Sequence, residues 1–130
     1  MRTPSLGEQE MELLHFMVQH EPMSVRDAVR LFGAPRHLAR TTVLTMMERL
    51  RKKGYLARND DGRVYLYSPS QPRKDVLARA VKGFVDKALG GSVSPIVAYL
   101  SREAQLSDAD LEELRKLVHE LESKERDGDA

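Results

Sequence analysis

The run Ala39-Arg40-Thr41-Thr42-Val43-Leu44-Thr45-Met46-Met47-Glu48-Arg49-Leu50-Arg51-Lys52-Lys53-Gly54, with the thirteen residues after it, decides the fold. Val43, Met46, Met47 and Leu50 recur at i, i+3, i+4 and i+7, which is one inward stripe of a helix. The spacing predicts a helix over 40–53, closed by Gly54. Its opposite side carries Thr41, Thr45, Glu48 and Lys52, flanked by Leu44 and Arg49. Ala39 stands at the N-cap and is a poor cap, having no side-chain oxygen to accept an amide. Tyr55, Leu56, Val64, Tyr65, Leu66 and Tyr67 then supply strand propensity on either side of Asp61-Gly62, a strong hairpin signal. Two strands with Arg63 at their tip make a basic wing.

Upstream, Ser5 and Glu8 read as a capping box. Met11, Leu14, Met17 and Val18 follow at helical spacing, predicting a helix to about His20 that Pro22 ends. Ser24 and Asp27 form a second box, with Val25, Ala28, Val29 and Leu31 as apolar positions. Gly33 stands where a left-handed stop is expected, just before Pro35. Downstream of Pro72 the pattern is helical only. Val76, Leu77, Ala80, Val81, Phe84, Val85, Ala88 and Leu89 form a broad apolar face that stops at Gly90-Gly91. Ser94-Pro95 reads as a cap followed by proline, opening a short helix with Ile96, Val97 and Leu100. Ser107 and Asp110 make a further box. Leu111, Leu114, Val118 and Leu121 then space 3-4-3, a heptad-like seam.

The expected fold is therefore mainly α with a small β-hairpin wing: a winged helix-turn-helix domain followed by a three-helix dimerisation segment. The winged domain takes 1–70, the helical segment 71–124, and 125–130 read as a frayed tail. Hydrophobic residues at 41% suffice for a core, and with no Trp and three Phe it rests on Leu, Val and Met. The absence of Cys excludes disulfides, thiolate metal sites and a Cys nucleophile. Early acids rule out a signal peptide, and no apolar run approaches the ~18 residues of a membrane span. A cytoplasmic protein without membrane contact is expected.

Net charge is only +1, but its distribution is uneven. Residues 1–25 hold one Lys/Arg against four Asp/Glu, 26–63 hold ten against four, and 101–130 hold five against ten. A basic middle between acidic ends is the pattern of a localised polyanion-binding face. In helix-turn-helix readers the second helix of the motif enters the major groove. The candidate DNA-binding residues are Arg40, Thr41, Thr42, Leu44, Thr45 and Arg49 on that helix, Lys52 with Arg51 and Lys53 at its far end, and Arg63 on the wing. Arg36, His37 and Arg58 are further backbone-contact candidates. The apolar face after residue 72 cannot close a core alone, so Val81, Phe84, Val85, Leu111, Leu114, Val118 and Leu121 are candidate dimerisation residues. A two-fold dimer would match a palindromic site in double-stranded DNA.

Catalysis has no support. No nucleophile-elbow motif, phosphate-cradling loop or H-E-x-x-H spacing occurs, since His20-Glu21 and His119-Glu120 are each followed by Ser where the second His would stand. No metal site and no cofactor are expected. Two other readings of the same residues are a ligand-sensing winged-helix regulator, with a pocket lined by Phe84 and Tyr99, and a winged-helix protein-interaction module without DNA binding.

The runs Leu6-Gly7-Glu8, Ser24 to Asp27, Ala39 to Thr45, Arg49 to Gly54, Tyr65 to Pro69, Gly90-Gly91 and Leu106 to Leu114 resemble the penicillinase repressor family, of the BlaI/MecI/CopY type. The likeness extends from residue 6 to about 122. It implies a homodimeric winged-helix repressor on a palindromic operator, in some members released when a sensor-linked protease cleaves the dimerisation region in response to β-lactam antibiotics. Carried over by position, the cleavage site falls at Tyr99–Leu100, where this chain lacks the Asn-Phe pair of those members. It also lacks the cysteine cluster of the copper-responsive members.

Overall fold

A computed structural model describes residues 5–128. Six helices and one hairpin follow in the order α1 (Glu8–Gln19), α2 (Val25–Ala28), α3 (Arg40–Lys52), β1 (Leu56–Asp60), β2 (Tyr65–Pro69), α4 (Arg73–Ala88), α5 (Ser94–Arg102) and α6 (Asp108–Gly128). They fall into two compact units, 1–92 and 93–130. The packing boundary thus lies at 92/93, past the expected domain division at 70/71. The reason is that Val76 and Ala80 of α4 are fully buried in the core of the first unit.

In the first unit the α3 stripe packs as its spacing requires: Val43, Met47 and Leu50 are wholly buried and Met46 nearly so. They meet Leu13, Leu14 and Met17 of α1, together with Phe32, Tyr55 and Tyr67. Each such side chain taken from water contributes about 1.5–3 kcal/mol before entropy is charged against it. The α3 helix ends as expected. Gly54 adopts φ 87°, and the Tyr55 amide donates to the Leu50 carbonyl at 2.9 Å, closing the last turn.

The hairpin pairs Leu56 with Pro69, Arg58 with Tyr67 and Asp60 with Tyr65. At its tip the Asp61 carboxylate accepts the amides of Arg63 and Val64, and Gly62 takes φ 94°. Strand β2 is held on both edges, because the Tyr67 amide and carbonyl exchange hydrogen bonds with Met23 at 2.8 and 2.9 Å on the side away from β1.

Several local expectations are corrected. Gly7, not Ser5, caps α1, and no side chain closes that end. The Ser5 carbonyl is instead engaged by Lys53 Nζ at 3.0 Å. The Ser24 box forms in part, its hydroxyl accepting the Asp27 amide at 3.1 Å. Gly33 is not a left-handed stop. The chain runs on from α2 through a π turn (Val29–Gly33) and a 3-10 turn (Ala34–Arg36), and the left-handed residue is His37 at φ 57°. The wide π turn takes more residues per revolution, so Phe32 replaces Leu31 in the core and Leu31 is exposed. Gly33 is needed for space instead, since a Cβ there would lie 2.8 Å from Val43 Cγ2.

In the second unit the Ser107 box forms reciprocally: Ser107 Oγ accepts the Asp110 amide at 3.1 Å, and Asp110 accepts the Ser107 amide at 3.2 Å. Val93, rather than Ser94, occupies the α5 cap position, and its side chain makes no cap bond. Residues 125–128, expected as part of a frayed tail, belong to α6, while 129 and 130 lie outside the described residues. Neither α5 nor α6 buries any residue. Leu100, Leu106, Leu114 and Leu117 line an open groove of about 340 Å³ instead.

Gly33→Ala should destabilise the protein by about 1–3 kcal/mol through overpacking against Val43. Thermal unfolding of the two proteins checks this, and an unchanged midpoint would remove the steric role given to Gly33.

Candidate nucleic-acid interface

Burial of one α3 stripe forces the other face outward. Arg40, Thr41, Thr42, Leu44, Thr45, Arg49 and Lys52 are all exposed along it, and Arg63 is exposed at the wing tip. Among the described residues no hydrogen bond or ion pair engages the side chains of Arg40, Arg49, Lys52 or Arg63. An open groove of about 500 Å³ separates the first turn of α1 from this helix, lined by Gly7, Gln9, Thr41, Thr42, Thr45 and Arg49. Hydroxyls and unpaired cations therefore share one surface next to a basic wing.

Other cations of the basic block are occupied. Lys53, expected beside the phosphate backbone, donates to the buried Glu10 carboxylate at 2.8 Å, because a nearly buried charge needs a partner. Arg36 donates to the Phe32 carbonyl at 3.1 Å, pairs with Glu12 and stacks on the Phe32 ring at 3.9 Å. Its task is to close the end of the helix it sits on, and His37 supplies the left-handed turn. Arg51 and Arg58 are both drawn to Glu48.

Glu48 is the residue that the sequence reading missed. Its carboxylate accepts from Arg51 Nε at 2.8 Å and Nη2 at 3.0 Å, from Arg58 at 3.3 Å, and from the Tyr67 hydroxyl at 2.9 Å. Arg58 and Tyr67 face each other across the hairpin, so their side chains leave the same face and converge on α3. The Arg58 guanidinium also lies 4.2 Å over the Tyr65 ring. A hydrogen bond from Arg51 is the largest cause holding the Glu48 carboxyl at about 2, against its ordinary 4.5. Burial opposes it as the second-largest effect, and the Tyr67 hydrogen bond and the charges of Arg51 and Arg58 add further lowering. The Asp61-Gly62 pair marks the hairpin but not its register: a two-residue turn centred there would set Arg58 against Tyr65, whereas the turn centres on Gly62-Arg63 and Arg58 faces Tyr67.

At the other end of α3, Arg79 of α4 donates to the Gly54 carbonyl at 2.6 Å and the Lys53 carbonyl at 3.2 Å, over the Tyr55 ring. These bonds satisfy carbonyls that the helix end leaves open. The helix α3 is thus fixed at its C-terminus by α4 and laterally by the wing.

The candidate dimerisation residues lie on two elements of the first and second units. On α4, Val81 and Phe84 are 52% and 48% exposed and Val85 is half-buried. On α6, Leu111, Val118 and Leu121 are 40%, 52% and 53% exposed, with Leu114 half-buried. Tyr99 is exposed and Leu100 half-buried, both in the interior of α5. Among the described residues no group of three or more His, Asp or Glu side chains is placed to hold a metal ion, and no helix is long and apolar enough to cross a membrane.

Three helices, a hairpin wing and an outward polar helix face define a winged-helix protein of the nucleic-acid-binding class. Comparison with known proteins narrows this. The family model described as penicillinase repressor matches residues 6–120. The transcriptional regulator BlaI of Mycobacterium tuberculosis (strain CDC 1551 / Oshkosh) is 30% identical over 120 residues, covering 91% of this chain and 86% of that protein. A penicillinase repressor of Bacillus licheniformis is 22% identical over 126 residues, covering 97% and 98%. In fold alone, the YusO protein from Bacillus subtilis superposes with a TM-score of 0.51 at 17% identity, covering 91% of this chain and 75% of its own. The chain belongs to the penicillinase repressor family. It is a DNA-binding transcriptional repressor and not an enzyme.

Because the Glu48 carboxyl is held below its unfolded value, the stability it contributes is fully present above pH 4.5 and is lost as pH falls towards 2. The stability gap between the native protein and Glu48→Gln should therefore shrink over that window. Denaturant titrations at several pH values measure it; a gap independent of pH would contradict the Glu48 geometry.

Proposed function

We propose that the protein represses transcription as a homodimer on a two-fold symmetric operator, with α3 in the major groove. The observation that carries this is the exposed α3 face, where Thr41, Thr42, Leu44 and Thr45 stand among Arg40, Arg49 and Lys52, none of these cations having a partner among the described residues. Thr hydroxyls and the Leu44 methyls suit base edges and thymine methyls, while the cations suit phosphates. Arg63 at the wing takes the flanking backbone. Segment 71–124 supplies the dimer contacts. In support, its last two helices bury no residue, and its large apolar side chains on α4 and α6 stand half exposed. An apolar surface of that kind is covered most economically by a second copy.

Relief of repression by proteolysis at Tyr99–Leu100 is part of the same proposal, on family grounds. The Tyr99 carbonyl accepts the amides of Glu103 and Ala104 at 2.9 and 3.0 Å. A protease that takes its substrate in extended form must therefore first unwind α5.

Binding assays separate the roles. On the duplex that the native protein selects from a randomised pool, Thr45→Ala should lose about 1–3 kcal/mol. Unchanged affinity would take Thr45 out of the interface. Lys52→Ala should weaken all sequences alike and flatten the dependence of log K on log salt by about 0.9, one phosphate contact; an unaltered slope would sink that contact. Leu114→Asp should give monomers in sedimentation and poor operator binding, whereas an intact, fully active dimer would place the interface elsewhere.

A further inference from the structure

We propose that Glu48 is a specificity-determining positioning residue, which withholds Arg51 and Arg58 from the phosphate backbone and so keeps affinity for random DNA low. The inference rests on the DNA-binding reading and goes further, to how that affinity is divided between sequences.

The two arginines stand where phosphate contacts would be made. Arg51 lies between Arg49 and Lys52 in the last turns of α3, and Arg58 lies on the strand that leads to the wing tip. Both guanidiniums are committed inward. Arg51 makes a two-point pair with Glu48, and Arg58 pairs with the same carboxylate while lying over Tyr65. Their side chains are only about one-third exposed, at 32% and 31%. Two-point guanidinium–carboxylate pairs compete well with a phosphate because their geometry is fixed in advance. The carboxylate stays ionised at every pH at which the protein would meet DNA. Arg40, Arg49, Lys52 and Arg63 have no such partner among the described residues. The basic face is thereby divided into cations held back and cations offered. Since phosphate contacts carry no sequence information, removing two of them lowers random binding more than site discrimination.

The same carboxylate also joins α3 to both strands through Arg58 and Tyr67. A merely structural joint would affect stability and weaken all DNA binding together. The withholding role makes a different demand, on the salt dependence.

The experiment measures binding to a labelled mixed-sequence duplex across a salt series for native protein, Glu48→Gln, and Glu48→Gln combined with Arg51→Gln and Arg58→Gln. The single variant should bind several-fold more tightly, with a slope steeper by up to about 1.8, or 0.9 for each phosphate newly contacted. The triple variant should return to the native slope. A single-variant slope equal to native overturns the inference, and so does a triple variant that stays steep, which would assign the effect to repulsion by Glu48 itself. Should Glu48→Gln unfold, the Arg51 Nε–H resonance of the native protein decides. It should keep its position when the mixed-sequence duplex is added, while that of Arg49 moves; an equal shift at Arg51 overturns the inference. If the native protein binds no duplex at any salt, the DNA reading itself fails. Native binding with unaltered slopes defeats this inference alone.

Discussion

Everything in the winged unit is arranged by the burial of a single stripe on α3. Val43, Met46, Met47 and Leu50 pack against α1 and the two buried tyrosines, and that packing leaves the helix no rotational freedom. Once those four are inside, Thr41, Leu44, Thr45 and Lys52 are outside by geometry. The closeness of the packing shows at Gly33, where a methyl group would strike Val43. The approach of the π turn after α2 to α3 depends on the absence of that methyl.

Electrostatics then sorts the basic block. Of its ten Lys and Arg residues, several are consumed by the fold: Lys53 by Glu10, Arg36 by Glu12 and a helix end, Arg51 and Arg58 by Glu48. What remains towards solvent on α3 and the wing is a smaller set that includes Arg40, Arg49, Lys52 and Arg63. A raw count of charge would overstate the cationic face. The near-neutral total of the chain fits this economy, since affinity for polyanions is confined to one surface.

Much of this was legible in the sequence because it is local. The α3 stripe, the Gly54 stop, the Asp61-Gly62 hairpin and the Ser107 box depend on residues a few positions apart and form as their chemistry dictates, and the Ser24 box forms in part. Three features were not legible, for one reason: their partners are distant in the chain. The Ser5 carbonyl is held by Lys53, forty-eight residues away, and α1 opens only after Gly7. Gly33 resembled a stop because Val43 could not be seen beside it. Glu48 read as one more residue of the outward face, whereas the hairpin register brings Arg58 and Tyr67 to it and makes it a hub. The assignment of the apolar residues of α4 and α6 to a dimer is a proposal that rests on their exposure among the described residues.

The most direct test of the central claim is capture of genomic DNA fragments by the purified protein, with sequencing of those retained. The expected result is enrichment of one two-fold symmetric site lying over promoters, with half-sites about one helical turn apart, near 34 Å, or a multiple of it. Retention of fragments without a common symmetric element, or of none above background, would contradict it.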